Sequence, residues 1–270
     1  GGIHSMEKKQ TIIPNDDQFL IDKDVASYYP AIILNLGLYP KHIGSKFLTV
    51  YESIVKRRLE AKRNGDKVVN ESLKIVINGS FGKFGNKYSA LYSPDLMMAV
   101  TLTGQLSLLM LIERLEAEGI NIMSANTDGF VSLMSKSKYN IYDTVCLDWE
   151  LDTGFELEET KYSGLYSRDI NNYLAVSDHG PKGKGVFTMN SLTKNPDAQI
   201  VIKAVMAFLV DGTPIDETIR GSKDVYDFML ARRVTGGAMW RGGYLGKVVR
   251  WIYSTDGDRI TYKKKATNKK

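Results

Sequence analysis

The chain has a single cysteine, Cys146, in 270 residues. One thiol closes no intramolecular disulfide and builds no cysteine zinc cluster, so a reducing, intracellular setting is expected. Histidine is nearly as scarce. His4, His42 and His179 lie far apart with no metal-ligand spacing and read as surface residues. No apolar run approaches the ~18 residues of a membrane helix, and the longest stretches, such as Leu106–Ile112, are broken by polar residues. No membrane partner is therefore expected. No secretory apolar region opens the chain, and no internal repeat precedes the lysine-rich end.

Hydrophobic residues make up 43% of the chain and charged residues 25%, an ordinary globular balance with material for one or two domains. The formal net charge of +5 favours polyanionic partners in general and none in particular. Position is more informative than the total. Lys56, Arg57, Arg58, Lys62, Arg63 and Lys67 crowd one segment, and Lys263, Lys264, Lys265, Lys269 and Lys270 end the chain. The start at Gly1 and the basic finish fit a piece of something larger.

Residues 18–25 read as a strand, followed by the apolar Tyr28–Leu38 stretch, entered through a turn closed by Pro30. Helical periodicity runs over 45–63, with Phe47, Leu48, Tyr51, Ile54, Val55 and Leu59 on one stripe. Asn64-Gly65-Asp66 ends it, and residues 67–83 form a second helix through Leu73, Ile77 and Phe81. Two helices on so short a turn pack as an antiparallel hairpin. A third, apolar helix over 97–118 stops at Gly119. Strands then flank Asn126-Thr127-Asp128-Gly129, where Asp-Gly between β-formers predicts the hairpin turn. Further strands fall within 155–187. Helices are expected over Ile200–Leu209 and Ser222–Arg233, then strands over Tyr244–Tyr253 and Arg259–Lys264.

Asp24 at a strand end and Asp128 in a hairpin turn reach one sheet edge if their strands are neighbours. Paired carboxylates repel unless a cation neutralises them. Mg²⁺ suits such a site, and two ions roughly 3.5–4 Å apart can clamp the attacking and leaving oxygens of a phosphoryl transfer. Taken singly, Asp24 reads equally as a helix cap and Asp128 as a turn residue.

Their neighbours decide between these readings. Asp24-Val25-Ala26-Ser27-Tyr28-Tyr29-Pro30 resembles the first polymerase motif of family B DNA polymerases. Lys74-Ile75-Val76-Ile77-Asn78-Gly79-Ser80-Phe81-Gly82 resembles the second, and Asn126-Thr127-Asp128-Gly129 the third, usually Asp-Thr-Asp-Ser. Gly1-Gly2 resembles the end of the family's Tyr-x-Gly-Gly motif. Leu157-Glu158-Glu159 through Asn171-Asn172-Tyr173 resembles the strands carrying its Lys-x-Tyr primer motif. The likeness covers residues 1 to about 187 well and is nearest to phage and mobile-element members.

The resemblance implies an α+β right-hand polymerase fold. The palm, an antiparallel sheet with packed helices, would span 1–44 and 86–187. Short helical-hairpin fingers would span 45–85 and a partial thumb 188–270. Asp24 and Asp128 would be catalytic and, with the Val25 carbonyl, would hold two Mg²⁺ ions, Mn²⁺ being an alternative. Tyr29 would exclude a 2′-hydroxyl beneath the incoming sugar. Lys74 and Asn78, on one helix face, would bind the triphosphate together with Arg58 and Lys62, for which a solvated basic face is the competing reading. Gly79, Phe81, Gly82, Thr127 and Tyr173 would face template and primer. Each of those glycines weakens its helix by ~1 kcal/mol against alanine, which close approach of the template would explain.

Three departures stand out. Asn126 replaces the first Asp of the third motif, Phe81 replaces a Tyr, and Asn171 replaces the Lys of Lys-x-Tyr, where Lys182 or Lys184 is a substitute. The implied activity is template-directed DNA synthesis in replication, on primer–template DNA and deoxynucleoside triphosphates. A separate exonuclease or further polymerase segment would be a partner, and the cell interior the location, a host cytoplasm if phage-encoded. Two rivals are a non-catalytic or split DNA-binding subunit and a palm enzyme of reverse-transcriptase type.

Overall fold

The computed structural model describes residues 2–189 and 196–262. Gly1, Asn190 and the final lysines lie outside them. The chain divides into two compact units, Gly1–Gly164 and Leu165–Lys270.

In the first unit, β1 (Gln10–Ile12) and β2 (Gln18–Val25) precede α1 (Tyr28–Asn35). The hairpin pair α2 (Lys46–Arg63) and α3 (Lys67–Phe84) follows, then α4 (Pro94–Ala117). Strands β3 (Asn121–Asn126) and β4 (Gly129–Ser135), α5 (Tyr139–Thr153) and β5 (Leu157–Asp169) complete the order, β5 crossing into the second unit. The strands lie in the order β3-β4-β2-β5 with antiparallel neighbours.

Strand alternation sorts β2 into two faces. Ile21, Lys23 and Val25 point to the helix-covered side, where Ile32 and Ile33 of α1, Val100, Leu108, Leu111 and Leu115 of α4, and Tyr142 and Trp149 of α5 join one core. Burying each such side chain is worth about 1.5–3 kcal/mol. Asp22 and Asp24 fall on the opposite face. Cys146 sits in the core, its thiol pushed up to about 12 chiefly by burial, against a downward pull from Lys23.

Several expectations need correction. Pro30 closes no turn. It is the third residue of α1, in the first helical turn, where a missing N–H loses no intrahelical bond. The hairpin loop is Thr127-Asp128, not Asp-Gly: Thr127 takes φ 58° and Gly129 is the first residue of β4. Helix α5 has no expected counterpart, because Tyr142, Cys146 and Trp149 alone form its buried stripe. Helix α4 is long and apolar enough to cross a membrane by length and composition, although no uninterrupted apolar run announces it. One stripe of it, from Leu96 to Leu115, is buried in the core.

The second unit continues β5 into β6 (Asn172–Ser177) and β7 (Gly180–Lys184). Helices α6 (Ile200–Asp211), α7 (Ile215–Gly221) and α8 (Val225–Phe228) follow. A three-stranded sheet of β8 (Leu230–Trp240), β9 (Gly243–Trp251) and β10 (Thr261–Tyr262), in the order β10-β8-β9, comes last. The helix expected over Ser222–Arg233 is thus one short turn followed by a strand. Pairing wins over local preference there: Leu230 to Arg233 register with Trp251 to Val248, and the Ala231 amide donates to Pro196 O at 2.9 Å. β10 covers only two residues of the strand expected over Arg259–Lys264, whose end lies outside the described residues.

Asp227 anchors this unit. It is 3% exposed and accepts hydrogen bonds from Lys203 Nζ and, at 2.7 Å, from Ser222 Oγ. Burial pushes its carboxyl up, but these bonds and the Lys203 charge more than offset that and hold it below the usual carboxylate range. Asp227→Ala is expected to cost about 1–3 kcal/mol in urea unfolding. Because the folded-state pKa is depressed, the wild-type contribution is present above the unfolded value, ~3.9, and fades as pH falls through the folded one. The difference between wild type and variant is therefore expected to shrink below about pH 4.

Candidate active site

The antiparallel pairing of β2 with β4 sets Asp24 opposite Gly129, and the Val25 amide donates to the Asp128 carbonyl at 2.6 Å. Asp24 and Asp128 thereby reach the same sheet end. The Asp24 carboxylate fills space that a side chain on residue 129 would take: a Cβ there would lie 2.0 Å from Asp24 Oδ1 and 2.7 Å from Lys23 O. On the other side of Asp24, β5 presents Glu158 directly across the ladder. Like charges opposed in this way destabilise a sheet. Lys62 of α2 meets Glu158 Oε1 at 2.7 Å and offsets part of the repulsion.

The Thr127-Asp128 loop is held from a second direction. Its Thr127 amide donates to Ile3 O at 2.7 Å, and His4 Nε2 lies 3.0 Å from Thr127 Oγ1. Gly2 packs flat on the same residue, where a Cβ would meet Thr127 Cα at 2.5 Å. His4 is exposed, as expected, but it also touches the loop, which sequence spacing could not reveal across 123 residues.

Ser27 takes φ 50° to turn the chain from β2 into α1. Arg58 Nη1 donates to Ser27 Oγ at 2.8 Å, while the buried Arg58 Nε has no partner among the described residues. Tyr28 points inward and donates to Gly104 O at 2.7 Å. Tyr29 points toward the site, its ring 4.5 Å from that of Phe81 on α3. Burial, and then the Asp128 charge, raise the Tyr29 hydroxyl above its ordinary value. Lys74, Asn78, Gly79 and Gly82 occupy exposed positions on α3, and no atom lies within 4 Å of a Cβ built on either glycine.

Within the second unit, Tyr173 on β6 registers with Lys184 on β7, whose Nζ lies 5.5 Å from the ring centre. Lys184 is thus the basic residue beside Tyr173, where Asn171 instead caps the Asp169 turn, its amide donating to Asp169 Oδ1 at 3.0 Å.

Among the described residues no group of three or more His, Cys, Asp or Glu side chains is placed to hold a metal. Asp24, Asp128 and the Val25 backbone supply only hard oxygen donors. That set fits Mg²⁺, which binds through one or two carboxylates and takes its remaining ligands from water and substrate phosphates.

Comparison with known proteins gives a consistent class. No family model matches the chain. It is 28% identical over 129 residues to DNA polymerase II of Escherichia coli, covering 39% of this chain and 16% of that protein. It is 26% identical over 135 residues to DNA polymerase 1 of Saccharolobus solfataricus, covering 47% and 15%. The fold resembles the family B DNA polymerase of the archaeon Pyrobaculum calidifontis, with a TM-score of 0.54 at 15% identity over 86% of this chain and 37% of that one. These likenesses support a family B polymerase region in this chain. The matches span about a sixth of the length of the two curated relatives.

Substitution at Ser27 tests the local geometry. A non-glycine residue in the left-handed region costs roughly 1–2 kcal/mol. Ser27→Ala keeps that strain and removes the Arg58 partner, whereas Ser27→Gly removes both. Ser27→Ala is expected to be the more destabilising in thermal melts, by up to about 1 kcal/mol once the extra chain entropy of glycine is counted.

Proposed function

We propose that this chain is the catalytic portion of a DNA-directed DNA polymerase that adds deoxynucleotides to a primer 3′-hydroxyl under template direction. The observation that carries this reading is the register setting Asp24 opposite Gly129, with Val25 bonded to Asp128. In this reading residues 1–44 and 86–187 serve as palm, residues 45–85 with α2 and α3 as fingers, and residues 188–270 as part of a thumb. The phage or mobile-element assignment rests on the sequence resemblance alone.

Asp24, Asp128 and the Val25 carbonyl are the groups to hold divalent ions, which when bound supply charge neutralisation and a clamp on the attacking and leaving oxygens. The chain's own residues do the positioning. Tyr29, braced by Phe81, sits beneath the sugar and leaves no space for a 2′-hydroxyl. Lys74 presents an ammonium to the triphosphate, stabilising negative charge as pyrophosphate leaves. Asn78 shares that face one turn on. Lys62 exchanges Glu158 for a phosphate at small expense, because an exposed ion pair is worth only about 0–1 kcal/mol. Arg58, engaged with Ser27, supports the first motif as well as facing the phosphates. The Gly79 and Gly82 surface, Thr127 and Tyr173 receive template and primer. Catalysis in this scheme is orientation and electrostatics, with no covalent intermediate on the protein.

Primer extension tests the proposal. Wild type is expected to extend a DNA primer on a DNA template with Mg²⁺, and chelation to stop it. Asp128→Ala is expected to abolish extension, and Lys74→Ala to lower kcat/KM by on the order of 10²-fold. Tyr29→Ala is expected to admit ribonucleotides. DNA binding with no extension by wild type would support the non-catalytic rival, and equal extension on RNA the reverse-transcriptase one.

A further inference from the structure

The polymerase scheme gives residues 2–10 no task, yet they run along the edge of β3 away from β4 and end their contacts at the Thr127-Asp128 loop. Ser5 exchanges two bonds with Ala125: its amide donates to Ala125 O at 2.9 Å, and its hydroxyl accepts from the Ala125 amide at 2.9 Å. Ser124 Oγ donates to Glu7 Oε1 at 2.8 Å, and Gln10 Nε2 donates to Met123 O at 3.2 Å. His4 and Asn126 form the last bridge before the loop. The strap and the loop both belong to the first unit.

The loop needs holding. Thr127 is β-branched and takes φ 58°, where a branched side chain is a genuine outlier. Backbone strained in this way persists only where its surroundings over-determine it. Asp128, the next residue, is tied to β2 through its carbonyl, which accepts from the Val25 amide at 2.6 Å. On its other side the chain enters through Thr127. Relaxation of Thr127 to negative φ would turn the peptide leading into Asp128 and carry its carboxylate away from the sheet end shared with Asp24.

Two contacts oppose that relaxation. The first is between backbones, the Thr127 amide donating to Ile3 O at 2.7 Å. The second depends on one side chain. Thr127 Oγ1 has a single proton and donates it to Asn126 Oδ1 at 3.1 Å, so toward His4 Nε2, 3.0 Å away, it is the acceptor. His4 Nε2 is therefore a protonated ring nitrogen, and the Thr127 hydroxyl is pinned between His4 and Asn126. Resting on the polymerase reading above, we infer that His4 is a positioning residue for Asp128. It acts through the Thr127 hydroxyl and holds the loop in the conformation that aims the carboxylate.

The test uses the full chain and two readouts. Amide hydrogen exchange of Thr127 and Asp128, followed by NMR without DNA, nucleotide or metal, reads the loop itself. His4→Ala, at an exposed position, is expected to speed that exchange about tenfold with an unchanged melting temperature. His4→Gln, which keeps a donor near the place of Nε2, is expected to restore it. In a Thr127→Val background, where the hydroxyl is already gone, His4→Ala is expected to add nothing. In primer extension His4→Ala is expected to lower kcat about tenfold and leave the nucleotide KM unchanged. His4→Gln is expected to recover kcat, and Gln10→Ala, at the far end of the strap, to extend as wild type does. Unchanged exchange in His4→Ala, an equal effect of His4→Ala in both backgrounds, or a rise in KM with kcat intact would overturn the inference. A wild type that extends no primer would overturn the polymerase reading instead, and loop exchange would still decide whether His4 holds Asp128 in place.

Discussion

One cross-strand register governs the candidate active site. Asp24 faces Gly129 because Ile21 and Val25, on the alternate face of β2, are buried against α1, α4 and α5. A slip of one residue would send both into solvent and turn Asp24 into the core. The apolar pattern that folds the unit therefore also fixes the distance between the acidic strand ends. The hydrophobic side sets the position and the polar side receives it. Electrostatics alone opposes the arrangement, since Asp24, Asp128 and Glu158 crowd one sheet end and like charges there repel. Core packing holds them, and Lys62 meets part of the charge.

Much of this was legible because it is local. The periodicity of Phe47 to Leu59 and of Leu73 to Phe81 fixes the helical hairpin, and α4 follows from its apolar density. The motif residues fall on strand, helix and hairpin as the family resemblance implies. What escaped depends on contacts distant in sequence. The Lys62–Glu158 pair joins residues 96 apart and the His4–Thr127 contact residues 123 apart. Nothing in either segment names its partner. Thr127 hid behind a stronger local rule, because Asp-Gly is so favourable a turn that a threonine at positive φ is not expected beside it. The bonds to Ile3 and His4 hold it there. Helix α5 was missed because three buried residues in fifteen barely mark a face, and β8 because strand pairing overrode a stretch with weak preferences.

Both units leave some tyrosines in solvent, Tyr88 in the first among them, but the first also buries a set of rings in its core. In the first, Tyr28, Phe84, Trp149 and Phe155 are buried, and Tyr28 and Trp149 find backbone acceptors on α4 at 2.7 and 2.9 Å. Such rings stiffen a frame. In the second, Tyr244 and Tyr262 on the small sheet and Tyr253 just beyond β9 are exposed.

A chain of contacts also connects the acidic strand ends to the basic helix. The Asp128 charge is felt at Tyr29, and the Tyr29 ring rests on Phe81. Asn78 and Lys74 lie one and two turns toward the N-terminus of α3 from Phe81, on the same helical face, so Lys74 is about 10 Å along the axis from the ring contact. Ile77 and Phe84 hold the adjoining face in the core and keep that stripe from rotating away. The acidic strand ends, the Tyr29–Phe81 ring pair and the Lys74 ammonium thus follow one another in sequence of contact. Gly79 and Gly82 leave the α3 flank bare, at ~1 kcal/mol each in helix stability.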